Sequence, residues 1–147
     1  GASKVPFADW TTAYEAAADE PNVAIFYEQA KALREFLLTA APDKEQAGDL
    51  DFVLNVGHLF SLVVYGQLIL EQAALTGLDR SLLSRIFDVQ IRDFSAYAVG
   101  LYGKPGATPA QQQWALDAVR RPVADQATFD RVWEQVAAYD GAYEMRP

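Results

Sequence analysis

The chain has 147 residues, of which 51% are hydrophobic and 22% charged; it carries no cysteine and a net charge of −8. A single domain of this size buries roughly two-thirds of the surface its unfolded chain exposes, so it needs no staple to fold. The acidic balance argues against nucleic acid, which needs clustered Lys and Arg, and against an anionic membrane surface. The missing cysteine excludes disulfides, thiolate metal sites and cysteine nucleophiles, and fits a reducing cytoplasm.

Gly1-Ala2-Ser3 stands where an initiator methionine would, and no charged segment with an apolar core follows. Those three residues read as an expression remnant and not a processed signal peptide, leaving one domain over residues 4–147. Phe7, Trp10, Tyr14 and Ala17 fall on one helical stripe with Asp9 as N-cap, and Pro21 closes that short helix. Asn22 then caps a second helix, in which Val23, Phe26, Ala30, Leu33 and Leu37 recur at three and four residues. It ends before Pro42, and "APDKEQAGD" reads as a polar, turn-rich connection.

Next comes "NVGHLFSLVVYGQLILEQ", residues 55–72, the most apolar part of the chain. Its apolar run, Leu59 to Leu70, is about twelve residues against the ~20 a bilayer span needs, so no membrane span is expected. Asp49 or Asp51 can cap a helix here and Gly77 can end it. A helix apolar almost all round has neighbours on nearly every side, and it reads as a buried central helix. The other reading is a helix whose exposed face docks onto another domain. Gly57, Ser61 and Gly66 would let a partner helix come close.

After the turn "TGLD", Asp79 caps a helix running to about Leu101, with Leu83, Ile86, Phe87, Phe94, Ala98 and Leu101 as its apolar side. So short a turn makes the two long helices an antiparallel hairpin. Arg85, Asp88 and Arg92 read as a solvated ladder on this helix. In "YGKPGATPAQ", Gly103 suits a helix end, while Thr108, Pro109 and Gln111 are an N-cap, N1 proline and capping box. A helix with Trp114, Ala118 and Val119 stops at Pro122. Asp125 or Thr128 starts the last, with Phe129, Val132, Trp133 and Val136 facing inward, and the tail "DGAYEMRP" frays unless bound. The expected fold is all-α: a bundle of about six helices around a long antiparallel central hairpin.

Candidate chemistry is sparse. His58, the only histidine, lies one turn beyond Asn55 and two beyond Asp51, a spacing that could orient an imidazole. The plainer and preferred reading is a helix-start histidine hydrogen-bonded to backbone or to Asn55. Asp93 and Tyr97 fall one turn apart in "RDFSAY", as a structural hydrogen bond or a functional acid. No glycine-rich phosphate loop, GxSxG elbow or HExxH occurs, and one histidine without convergent carboxylates makes a metal site unexpected. No catalytic, cofactor-binding or metal-binding residue is assigned. His58, Asn55, Tyr65 and Asp93 are the candidates for a ligand or polar site.

The segments "LFSLVVYGQLILEQA", "IFDVQIRDFSAYAVGLYGK" and "VWEQVAAYDGAYEMRP" resemble the C-terminal helical part of bacterial acyl-CoA dehydrogenase-like flavoproteins, over roughly residues 51–147. The resemblance implies a helical bundle that packs on flavin and substrate domains and on neighbouring subunits. FAD would belong to the parent protein, where it accepts hydride from an acyl thioester. Tyr143-Glu144 lacks the Gly-Thr that follows the family's catalytic glutamate in some members, so Glu144 receives no catalytic role. The resemblance implies a non-catalytic module for packing and subunit association, partnered by its own upstream catalytic domain or by a homo-oligomer. Two rivals stand beside it. One is a free-standing bundle enclosing an acyl-type ligand in room left by Gly57, Ser61 and Gly66, with His58 or Tyr65 at the polar head. The other is a small cofactor-free enzyme centred on His58, Asn55 and Asp93.

Overall fold

The computed structural model describes residues 10–124 and 126–139, and every element among them is helical. They are α1 (Trp10–Ala16), α2 (Pro21–Thr39), α3 (Lys44–Ala47), α4 (Leu50–Thr76), α5 (Arg80–Tyr102), α6 (Pro109–Ala118) and α7 (Gln126–Ala138). The all-α expectation holds. The additional helix is α3, inside the stretch expected to be only a connection. There Asp43 accepts from the Gln46 N–H while the Gln46 side chain accepts from the Asp43 N–H, a closed capping box. Phe7, Asp9, Asp125, the tail from Asp140, and the side chains of Thr128 and Phe129 lie outside the described residues.

Helix ends follow local chemistry. Asp49 caps α4 by accepting from the backbone N–H groups of Asp51 and Phe52, so Asp51 is not the cap. Gly77 ends α4 at φ 67°, where only glycine is unstrained, and returns its N–H to Ala73. Asp79 caps α5, and the Leu82 N–H it accepts holds its carboxyl below the usual range. Thr108, Pro109 and Gln111 start α6 as expected. The start of α2 differs from expectation. Pro21 is its first residue and Glu20, not Asn22, is the cap, accepting from the Val23 N–H. Freed from capping, Asn22 is buried. It donates to the Ser84 carbonyl and accepts from the Val123 N–H, joining α2 to α5 and to the segment after α6.

The centre of the fold is α5, not α4. Leu83, Phe87, Ile91, Phe94, Ala98 and Leu101 run along its buried side and meet Val23, Phe26, Leu33 and Phe36 of α2. Contacts between α4 and α5 pair Asn55 with Gly100, His58 with Tyr97 and Leu62 with Gln90, and Asp51 pairs with Lys104 just beyond the end of α5. They step down one helix as they step up the other. Among the described residues α4 buries only Phe52, Asn55, Leu59, Gly66 and Leu70. Its outer side is open: Leu50 is 71% exposed, Leu54 53%, Tyr65 62%, Leu68 53% and Leu75 83%. The buried central helix is therefore corrected to a peripheral one.

The membrane expectation changes with it. The helix extends well past Leu59–Leu70, and by length and composition α4 is long and apolar enough to cross a membrane. Its best eighteen-residue window has a mean hydropathy of 1.7, with 28% of the window buried. In α7, Trp133 and Val136 are exposed and Val132 half-buried, so the inward face expected for that helix is also corrected.

What seats α4 is a single close approach. Tyr14 of α1 is fully buried and donates its hydroxyl to the Val63 carbonyl at 2.6 Å. A side chain at Gly66 would run into that hydroxyl and come within 2.9 Å of Phe26. Burial pushes the Tyr14 hydroxyl well above the usual tyrosine range, so it remains a donor. Gly66→Ala is expected to cost about 1–3 kcal/mol by overpacking. Tyr14→Phe should cost about 1 kcal/mol and recover only part of the Gly66→Ala loss, because the Phe26 contact remains. Urea unfolding of the four-member cycle checks this; strict additivity would contradict the shared seat.

Candidate functional site

The structure places Asn55 and His58 along the contact with α5, Asp93 on α5 itself and Tyr65 on the outer side of α4. Asp51, Asn55 and His58 each have a separate partner. Asp51 is exposed and ion-paired with Lys104. Asn55 is buried against Gly100, its Nδ2 lying 3.0 Å from where a side chain on that glycine would begin, and its Oδ1 accepts no hydrogen bond. Gly100 is small for this reason. The His58 imidazole lies exposed and stacked on Tyr97, 4.6 Å between centroids and 9° between planes. Asp93 is exposed, one turn from Tyr97. Tyr65 projects from the outer side of α4. Among the described residues no group of three or more His, Asp or Glu side chains could hold a metal ion.

The arginine ladder on α5 is not fully solvated. Asp88 is buried, held by Arg92 Nε at 2.7 Å and Arg85 Nη1 at 3.3 Å. Removing either guanidinium would weaken the compensation of a desolvated carboxylate. The sequence spacing identified the partners but not the burial, which comes from the packing of neighbouring helices over α5.

Two connected apolar features remain. An open groove of about 620 Å³ runs between α1, α2 and α4, walled by Trp10, Leu33, Leu37, Phe60 and Val63, with Arg34 as its charged lining residue. It is not the room expected at the small residues of α4: Gly66 is filled by Tyr14, Gly57 opens to solvent, and neither His58 nor Tyr65 lines the groove. The second feature is the outer side of α4, which shares Val64 and Phe60 with the groove. Leu50, Leu54, Gly57, Ser61, Val64, Leu68 and Leu75 lie along it, spaced by alternating fours and threes save one skipped position. Alternating threes and fours is the spacing found along the seams of paired helices. No charged residue interrupts α4 between Asp51 and Glu71. The spacing was present in the sequence, but apolar residues on the other sides of the helix hid it.

The chain matches no protein-family model, no curated protein and no solved structure. The resemblance to acyl-CoA dehydrogenase-type helical regions rests on its quoted segments alone.

The stack of His58 on Tyr97 makes a simple expectation. His58→Gln should cost no more than about 1 kcal/mol, the scale of a ring pair. Zn²⁺ should leave the unfolding temperature of both forms unchanged. A Zn²⁺-dependent rise that disappears in His58→Gln would contradict the assignment.

Proposed function

We propose that this chain is a non-catalytic helical association module whose docking surface is the outer side of α4. In this reading α4 and α5 form an antiparallel hairpin, with α5 as the anchored arm and α4 as the presenting arm. The observation that carries it is the exposure of Leu54, Tyr65 and Leu68 on the uncharged stretch between Asp51 and Glu71, with Leu50 and Leu75 exposed just beyond it, in a chain bearing net charge −8. Leu38 of α2, 70% exposed, and Leu37 extend the surface across the groove. Apolar patches beyond a few hundred Å² mark interaction sites in soluble proteins.

The segment resemblance supports a flavoprotein of acyl-CoA dehydrogenase type as the parent. The groove itself is a poor match for FAD: a diphosphate needs glycine-rich backbone or several cations, and the groove offers Arg34, Thr11 and Gln67. No chemical step is assigned here. A docking surface is dispensable to the fold of the chain that carries it. Leu54→Asp and Leu68→Asp are therefore each expected to shift the stability of the dilute chain by no more than about 0.5 kcal/mol in urea. Losses of several kcal/mol would show that the fold itself uses this face and would overturn the reading.

The groove supports a second reading, in which an acyl-type ligand lies along Trp10, Leu37 and Phe60 with its carboxylate toward Arg34. Titration with dodecanoate should then blue-shift the tryptophan emission, with at least a tenfold loss of affinity in Arg34→Gln. An unchanged spectrum would remove this reading.

A further inference from the structure

We infer that the partner of the α4 face is a second copy of this chain, docked antiparallel with a two-fold axis passing near Ser61. The inference rests on the association reading and names its partner.

Three properties of the face point to a copy of itself. The first is area. The exposed parts of Leu50, Val53, Leu54, Phe60, Tyr65, Leu68 and Leu75, with Leu37 and Leu38, amount to roughly 1,000 Å², and a standard interface buries about 800 Å² per partner. One helix face with its flanking groove therefore suffices for a stable dimer.

The second is shape. The seam carries large residues at both ends and small ones in the middle. An isologous contact pairs every position with its mirror about the axis. Centred at Ser61, the antiparallel arrangement sets Leu54 against Leu68 of the second copy, Gly57 against Tyr65, and Ser61 against itself. Gly57 and Ser61 then sit where the helices cross, and small side chains there let the axes approach to about 8 Å. The flank adds an aromatic contact, because Tyr65 comes beside the exposed His58 of the second copy, which is stacked on its half-buried Tyr97.

The third is charge. A chain of net charge −8 is repelled by its own copy wherever acidic surfaces meet. Residues 52–70 of α4 contain no Asp or Glu, so this face brings two copies together without opposing carboxylates at its centre. Antiparallel docking also sets the helix dipoles in the attractive sense.

The chain's lack of cysteine makes the geometry directly testable. Ser61 is exposed, its hydroxyl bonded only back to the Gly57 carbonyl, and nothing lies within 4 Å of a side chain added at Gly57, so both positions accept substitution without disturbing the monomer. Light scattering of the whole chain should give twice the 16.2 kDa mass. Ser61→Cys should oxidise to a covalent dimer, since the two Cα atoms at the axis lie within disulfide reach. Leu75→Cys should not, because its two copies would be about 42 Å apart at 1.5 Å of rise per residue. Gly57→Leu should weaken dimerisation at least tenfold while leaving the unfolding temperature of the dilute chain unchanged or higher.

A monomer at the highest soluble concentration would overturn the inference. So would cross-linking of Leu75→Cys as readily as Ser61→Cys, a dimer indifferent to Gly57→Leu, or co-flotation with neutral phosphatidylcholine vesicles that Leu68→Asp abolishes. If the chain is monomeric while Leu54→Asp and Leu68→Asp fold normally, the association reading stands with another partner. If those variants unfold the dilute chain, both readings fall.

Discussion

The seat of the Tyr14 hydroxyl over Gly66 fixes the rotation of α4, and the rest of the account depends on that rotation. The hydroxyl bonds the Val63 carbonyl and occupies the space a larger residue at position 66 would need, so Phe52, Leu59, Gly66 and Leu70 must face inward. The opposite side, from Leu50 to Leu75, then has to face outward. Asn55 against Gly100 reinforces the same rotation one helix further along, through a second glycine that admits a neighbouring side chain. Each glycine weakens its helix slightly and is offset by the close packing it permits.

The core is complete without the outer side of α4. Aromatic side chains supply much of it: Tyr14, Phe26, Phe87 and Phe94 contact one another at centroid distances of 5.6–6.4 Å across α1, α2 and α5. Polar side chains stitch the periphery. Gln46 and Gln111 join α3 to α6, and Gln29 reaches Ser95 of α5 and the Ala118 carbonyl at the end of α6. A fold so closed on α5 does not require leucines on the far surface of α4 for its own stability. Those leucines are costly in water at roughly 25 cal/mol per Å² of apolar surface, which is the driving force for something to cover them.

Much of the helical outline was legible in the sequence because capping is local chemistry. Asp49, Gly77, Asp79 and the Thr108–Gln111 box each act within three or four residues, so the pattern alone places the ends they make. Asp43 and Gln46 carry the same box in a stretch otherwise read as a loop, and the signal there was local too. Asn22 misled because an N-cap residue type sat one place inside a proline-started helix, and its partners, Ser84 and Val123, are distant in sequence. The role of α4 was not legible from periodicity. A helix apolar on all sides has no polar face to mark the solvent, so burial and docking give one pattern. The surroundings of the site candidates were hidden for a related reason: spacing along one helix does not show the partners on another, and His58 meets Tyr97 while Asn55 meets Gly100, both on α5.

The central claim is that the outer side of α4 is open in the single chain and covered in the associated one. Carbene footprinting of Leu50, Leu54, Leu68 and Leu75, with Phe87 and Phe94 as buried references, tests it most directly. The account requires strong labelling of the four leucines in dilute solution and a marked fall as the chain is concentrated, while the phenylalanines stay dark throughout. Leucines as protected as the phenylalanines at the lowest concentration would contradict it.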